Sequence, residues 1–270
     1  MTIARNWGMH YYVARMWVIG LVFIISASCF LNAQTDGFPE SVKRAKESIV
    51  PVACATWPDE SHAITIKEIE GTGFFVNYGG NFITAAHVIN DHFRWYTKDR
   101  PSADCFPVIY LANPTWLKAR WFQFHACISD TNIDVAVCKT VEDPVLYPEL
   151  HVGSLRLSSK TTFDDGTPVA FTGFPQNILV PITSKANIAA VGEFFVLGRI
   201  DIVIDKTNWH GISGAPLYLS DGTVIGMMRQ RGEGLWDGLA FARDMAAILK
   251  FLKEHNITVA DDLPAEKKRK

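Results

Sequence analysis

The chain has 270 residues, of which 48% are hydrophobic and 20% are charged. This length suits one large domain or two small ones, and the apolar content is sufficient for a buried core. The formal net charge of −2, with no basic stripe rich in aromatic residues, excludes a typical nucleic-acid-binding protein.

The N-terminal segment, residues 1–33, has the composition of an export signal. It contains arginines but no acidic residue, an apolar run at 17–25, and then a stretch of small residues. Three outcomes fit this order: cleavage near Ala33, an uncleaved membrane anchor, or lipidation of Cys29. Each of them places the domain outside the cytoplasm, where it is periplasmic, secreted or tethered to the membrane through its N-terminus.

Short strand-like runs dominate the chain after this segment. The stretch FPESVKRAKES first predicts a short amphipathic helix. About a dozen β-branched or alternating runs follow, separated by Gly, Pro, Asn and Asp. With so little helix between them, they predict an all-β barrel or sandwich that divides near Glu142–Ser158. The run Arg243–His255 predicts one C-terminal helix, and a polar tail follows it at 257–270.

Four cysteines follow the export signal: Cys54, Cys105, Cys127 and Cys138. In an oxidising compartment they permit two disulfides, with three possible connectivities. A buried free thiol is an equal alternative for Cys54 and Cys138, which lie in apolar runs. Neither the cysteines nor the histidines of HVINDH have the spacing of a metal site, so no metal and no cofactor is predicted.

A serine between two glycines stands out in HGISGAPL, residues 210–217. Such a turn exposes the side chain of Ser213 and leaves nearby backbone N–H groups free to point at one spot. It predicts either a nucleophile loop with an oxyanion hole or a tight hairpin turn.

Two further residues complete a chemical pattern with Ser213. His87 in FITAAHVI follows an apolar run and two alanines, and Asp134 in NIDVAV lies in an apolar run, where a lone carboxylate is costly unless paired. Each alone is more often structural. The order His, Asp, Ser in an all-β chain is the order used in the chymotrypsin fold.

The motifs together carry a family resemblance. The chain contains, in this order, GTGFFV, FITAAHVI, NIDVAV, GISGAPL and GLAFA. It thereby resembles trypsin-like serine peptidases of the high-temperature-requirement (HtrA/DegP-like) type over roughly 40–255. The resemblance implies two six-stranded β-barrels with a catalytic triad in the cleft between them. It places the protease domain at 38–256, with barrels at roughly 49–141 and 159–242.

The resemblance also implies roles for individual residues. Ser213 is the expected nucleophile, His87 the general base and then acid, and Asp134 the carboxylate that orients the histidine. The backbone N–H groups of Gly211 and Ser213 are expected to form the oxyanion hole.

The chain departs from the family pattern in its serine loop and at its C-terminal end. Ile212 and Ala215 stand where the family has Asn and a second Gly; Ile212 contributes backbone only, so the loop is expected to survive. Only a helix and a short tail follow GLAFA, so the family's PDZ domains are not expected here.

Three residues are predicted to bind the substrate side chain: Thr207, His210 and Met228. Thr207 stands where trypsin-like relatives that prefer basic residues have an aspartate, so cleavage is expected after Val, Ile, Leu, Ala or Met. Arg229 and Arg231 alternate along the same strand as Met228 and are expected to be solvated.

The predicted function is that of an exported serine endopeptidase, which hydrolyses peptide bonds of proteins through an acyl-enzyme. Its partners are protein or peptide substrates and not nucleic acid, and no feature indicates an oligomeric state. The alternative is a catalytically silent binding or scaffold protein with the same fold. An esterase with the same acyl-transfer chemistry is a third candidate.

Overall fold

The computed structural model describes residues 37–56, 65–92, 106–112, 119–147, 150, 153–194 and 199–260. The export signal, anchor and lipidation predicted for residues 1–33 lie outside these ranges. No helix within the ranges is long and apolar enough to cross a membrane.

The first barrel consists of six antiparallel strands rich in β-branched and aromatic residues, which favour a pleated and half-buried surface. They are β1 (Ile49–Thr56), β2 (Thr65–Phe75), β3 (Asn81–Thr84), β4 (Phe106–Ala112), β5 (Ala119–Asp130) and β6 (Val135–Thr140). Their order is β1-β2-β3-β6-β5-β4, and pairing of β1 with β4 closes the ring. Closure leaves no free strand edge.

The second barrel repeats this arrangement. Its strands are β7 (Pro168–Gly173), β8 (Ile182–Gly192), β9 (Asp201–Ile204), β10 (Pro216–Leu219), β11 (Val224–Arg231) and β12 (Ala240–Asp244). Their order is β10-β11-β12-β9-β8-β7, and β10 pairs with β7 to close the ring. The prediction of an all-β fold with two six-stranded barrels is therefore confirmed.

In the described part of the chain, three short α-helices accompany the barrels: α1 (Phe38–Lys46), α2 (Ala86–His92) and α3 (Met245–Glu254). Single 3₁₀ turns lie at Pro144–Leu146 and Gly234–Trp236. Helix α3 buries Met245, Ile248 and Leu252 on one stripe. After α3 the chain returns to the first barrel, where the Ala260 N–H donates to the Val76 carbonyl at 2.7 Å.

A disulfide joins two neighbouring strands of the first barrel. Cys127 on β5 and Cys138 on β6 are bonded, with 4.1 Å between their Cα atoms. Cys54 is disulfide-bonded as well. Of the two alternatives for Cys54 and Cys138, the structure therefore contains disulfides and not free thiols.

Candidate active site

His87 lies where the first barrel meets the cleft. Strand β3 ends at Thr84, and the fully buried Ala85 and Ala86 let α2 start close against the barrel. The Nδ1 atom of His87 lies 3.0 Å from each carboxylate oxygen of Asp134, and the backbone N–H of His87 donates to Asp134 Oδ1 at 3.0 Å. Because Nδ1 is occupied, Nε2 is the ring nitrogen left to exchange a proton with a substrate or a hydroxyl group.

Asp134 is held in an uncommon backbone conformation just before β6. Its φ is +56°, in the left-handed region that few residues other than glycine adopt, and it is only 8% exposed. Burial by itself raises the pKa of Asp134, but the hydrogen bonds and charge of His87 and the charge of Arg229 together lower it below its usual value. The carboxylate is therefore ionised at neutral pH, as an orienting partner of a histidine must be.

Glycine is required on both sides of Ser213. Gly211 has a φ of +91° and Gly214 a φ of +89°. A Cβ atom would lie 2.2 Å from the Phe174 carbonyl oxygen at Gly211, and 2.0 Å from the Thr72 carbonyl oxygen at Gly214. The backbone therefore passes too close to its neighbours for any side chain at these two positions.

The serine loop is anchored to the first barrel. The Thr72 N–H on β2 donates to the Ser213 carbonyl at 2.8 Å, and the Thr72 hydroxyl donates to the Gly211 carbonyl at 2.7 Å. The loop connects β9 to β10, and three other strand pairings separate these strands in the barrel. The alternative of a tight hairpin turn is therefore excluded.

The backbone N–H groups and the hydroxyl group of the serine loop differ in their hydrogen bonding. Among the described residues, the backbone N–H groups of Gly211 and Ser213 donate to no acceptor within the chain. The Ser213 hydroxyl donates to the carbonyl oxygen of Arg229 at 3.0 Å, and no hydrogen bond joins it to His87 in the described part of the chain. Two N–H groups are thus available to an external oxygen, while the hydroxyl is held by β11.

A cavity of about 600 Å³ contains both His87 and Ser213. The remaining residues of its lining are Asn208, Trp209, His210, Arg229, Gln230, Gly232, Glu233 and Trp236. Trp209 and Trp236 are large exposed apolar residues, at 38% and 45% exposure. The structure therefore brings together His87, Ser213 and the predicted substrate residue His210, together with two indole rings and a carboxylate that the sequence analysis missed.

Two other predicted substrate residues do not line this cavity. Met228, which the sequence predicts as a substrate residue, is fully buried in the core of the second barrel. It points into the barrel because an apolar side chain on β11 gains more from core packing than from the cleft. Thr207 is also missing from the lining, and its hydroxyl donates to the Asn208 carbonyl at 3.4 Å.

Three charged side chains, Arg229, Asp201 and Arg243, form a largely buried cluster behind Asp134. Arg229 Nε lies 3.6 Å from Asp134 Oδ2, Arg229 Nη1 lies 3.6 Å from Asp201 Oδ2, and Arg243 Nη1 lies 3.4 Å from Asp201 Oδ1. The Arg229 side chain is 13% exposed, so the prediction that it is solvated is wrong. Burial raises the pKa of Asp201 and lowers that of Arg243, and each charge opposes the shift of the other.

One group of described residues has ligand atoms close enough together to hold a metal ion. Atoms of Glu68, Glu70 and His210 lie within 4.8 Å of one another. Glu68 and His210 are exposed, and exposed groups of this kind are common in proteins without a metal. The cluster places two carboxylates beside the serine loop and gives no further sign of a ligand.

Comparison with known proteins agrees with this fold. The family model of the trypsin-like peptidase domain matches residues 71–227, which is more than half of the chain. The crystal structure of an inactive form of a serine-to-alanine mutant of Rv3671c, from M. tuberculosis H37Rv, is similar with a TM-score of 0.56 and 17% sequence identity. The likeness covers 81% of this chain and 91% of that one, and at this identity it shows a shared fold. None of the curated proteins matches the chain.

Proposed function

The chain belongs to the trypsin-like peptidase domain family, and we propose that it is an exported serine endopeptidase that acts through Ser213, His87 and Asp134. A peptidase domain of this family implies protein or peptide substrates. The observation that carries the proposal is the double contact between the buried Asp134 and His87, which lines the same cavity as Ser213.

The proposed reaction follows from the positions of these groups. The Ser213 hydroxyl leaves the Arg229 carbonyl, turns to His87 Nε2 and attacks the substrate carbonyl carbon while His87 accepts its proton. Asp134 stabilises the imidazolium. The Gly211 and Ser213 N–H groups donate to the oxyanion of the tetrahedral intermediate. His87 then protonates the leaving amine, and water hydrolyses the acyl-enzyme by the same route.

One observation favours the silent-scaffold alternative. The Ser213 hydroxyl donates to Arg229 and not to His87, so the nucleophile is not paired with its base in this structure. A rotation of the Ser213 side chain is what separates the hydrogen bond to Arg229 from one to His87. Exposed side chains make such rotations within nanoseconds. The alternative therefore has to be tested on the protein itself.

Labelling with a fluorophosphonate probe discriminates between the two functions. We expect covalent modification of the wild type at Ser213 and none in Ser213→Ala, with the exposed Ser220→Ala as the matched control that labels normally. Cleavage of an unfolded protein substrate should fall by at least about a thousandfold in Ser213→Ala. A Ser213→Ala variant that keeps a tenth of wild-type turnover contradicts the proposed nucleophile, and a wild type that neither labels nor cleaves supports the scaffold.

Export is supported by the disulfides of the first barrel. Disulfides such as Cys127–Cys138 form and persist in oxidising compartments and are rare in the cytosol. Alkylation of thiols in freshly lysed cells should therefore leave Cys127 and Cys138 unmodified. Full alkylation of both residues would place the folded protein in a reducing compartment.

A further inference from the structure

Arg229 touches both halves of the candidate site. Its backbone carbonyl accepts the Ser213 hydroxyl at 3.0 Å. Its guanidinium lies 3.6 Å from Asp134, which belongs to the first barrel, and 3.6 Å from Asp201, which belongs to the second. One residue therefore contacts the proposed nucleophile, the proposed orienting carboxylate of the first barrel and a buried anion of its own barrel.

A local irregularity of β11 aims this side chain. Met228 pairs with Ala242 and Gln230 pairs with Phe241 on β12, so Arg229 is one extra residue without an opposite partner. This is a β-bulge, which bends a strand and redirects the side chain of the inserted residue. Bulges are over-represented next to active sites.

The far side of the guanidinium is fixed in the core of the second barrel. Asp201 is fully buried and lies 3.4 Å from Arg243, which is also fully buried. Arg243 Nε donates to the carbonyl of Ile133 at 3.2 Å, and its Nη1 donates to the carbonyl of Ile200 at 3.1 Å. Because Ile133 directly precedes Asp134, the second barrel holds both the backbone and the carboxylate of this segment.

We propose that Arg229 is a positioning residue of the proposed peptidase, which fixes the Asp134 carboxylate against the second barrel and sets the charge that His87 faces. The inference rests on the proposed function. It adds a residue to that function: Arg229 acts through Asp134 and does not take part in proton transfer itself.

The charges around Asp134 and Arg229 decide in which direction removal of Arg229 shifts the protonation of His87. His87 faces the anion of Asp134 from the turn before β6 and the cation of Arg229 from β11, while His210 and Glu233 line the same cavity. Without the guanidinium, Asp134 presents an uncompensated anion to His87. The imidazolium is then more stable, and His87 is protonated up to a higher pH.

The charges behind Arg229 do not reverse this direction. Asp201 loses one cationic neighbour and keeps Arg243. Asp244 and Arg199 interact with Arg243 and belong to the next layer of the cluster. Removal of Arg229 therefore adds net negative charge on the side of Asp134.

The test compares Arg229→Met with the charge-preserving Arg229→Lys, through the pH dependence of kcat/KM. We expect the acid limb of Arg229→Met to move upward by at least about half a pH unit, since a neighbouring charge of the same sign as the imidazolium lowers the pKa of a histidine by that much or more. In Arg229→Lys it should stay near the wild-type position. Arg156→Met, which removes an exposed guanidinium paired with Asp221, is the matched control and should leave the profile unchanged.

A second measurement is independent of catalysis. In the Ser213→Ala background, NMR titration of the His87 ring should show the same upward shift when Arg229→Met is added. If the wild type has no Ser213-dependent activity, the proposed function fails while this titration still tests the charge at His87. A second outcome overturns the inference and shows that Arg229 is merely structural. In it the wild type is active, but Arg229→Met changes neither the pH profile of kcat/KM nor the His87 titration, and its activity falls only in proportion to its folded fraction.

Discussion

The two glycines that flank Ser213 show how single positions determine the shape of the candidate site. Both have a positive φ, and both lie so close to a neighbouring carbonyl that a Cβ atom cannot be accommodated. The loop therefore depends on steric room as well as on backbone freedom.

A matched pair of variants separates these two requirements. Gly166 also has a positive φ, of +81°, but no heavy atom lies within 4 Å of a Cβ built there, whereas a Cβ at Gly214 lies 2.0 Å from the Thr72 oxygen. We expect Gly166→Ala to lower the free energy of unfolding by about 1–2 kcal/mol, the cost of the left-handed conformation alone. Gly214→Ala should cost more and also abolish labelling of Ser213. Equal unfolding midpoints of Gly166→Ala and Gly214→Ala in urea would show that the clash at Gly214 is relieved at no cost.

The pKa of Asp134 gives a pH-dependent contribution to stability. Because its pKa is lower in the folded protein than in the unfolded chain, the contribution is present above about pH 4 and is lost as the pH falls through the folded value. The difference in unfolding free energy between wild type and Asp134→Asn should therefore be largest above about pH 5 and shrink in acid. Asp201 and Asp244, whose pKa values burial raises, act in the opposite direction but are present in both proteins. A difference that does not change between pH 3 and 7 would contradict this assignment.

The sequence predicts some residues of the candidate site and misses others for identifiable reasons. Asp134 stands out because a carboxylate in an apolar run needs a partner, and Ser213 stands out because it lies between two glycines. Met228 packs in the core of the second barrel, and Arg229, expected to be solvated, is largely buried. Alternation shows which residues share a face of a strand but not which face meets the cleft, and the bulge at Arg229 interrupts the alternation.

Among the elements, the strands could be predicted more closely than the helix boundaries. Alternating and β-branched runs indicate the strands directly, because each strand buries one face. The C-terminal helix was expected from Arg243 but begins at Met245, because β12 continues through Asp244, which pairs with Gly226 on β11. Tertiary pairing thus overrides a helical pattern at its first two residues.

Asp244 ends a strand and caps the following helix, which predicts a specific effect of substitution. Its side chain accepts a hydrogen bond from the Ala247 N–H at 3.0 Å. Loss of such an N-cap costs about 1 kcal/mol, so Asp244→Ala should lower the free energy of unfolding by that amount. Asp244→Asn keeps an acceptor and should stay closer to the wild type. An Asn variant as unstable as the Ala variant would show that the charge matters more than the cap.

In the whole molecule, the two barrels are joined by polar contacts as well as by packing. Thr72 on the first barrel anchors the serine loop of the second, and Ala260 returns from the second barrel to pair with Val76. Arg243 reaches from the second barrel to the carbonyl of Ile133. The contacts of Thr72 and Ile133 lie beside Ser213 and Asp134, so the geometry of the candidate site depends on how well the barrels are held together.

The pair Arg243–Asp201 allows this dependence to be measured. Arg243→Met leaves Asp201 buried with only the 3.6 Å contact to Arg229, and loss of one partner of a buried ion pair costs about 3–5 kcal/mol. Asp201→Asn should be destabilising for the same reason. The double variant Arg243→Met/Asp201→Asn should lose about 1–3 kcal/mol less than the sum of the two, because the uncompensated charges disappear together.

The remaining loss in that double variant reports on the junction between the barrels. Because Arg243 also donates to Ile133 and Ile200, its removal should leave the double variant below the wild type even when no charge is uncompensated. Urea unfolding of all four proteins, with equal m-values as the condition for comparison, gives the coupling energy. Additive losses would mean that the two charges do not stabilise each other, whereas a double variant as stable as the wild type would mean that the hydrogen bond to Ile133 does not help to hold the barrels together.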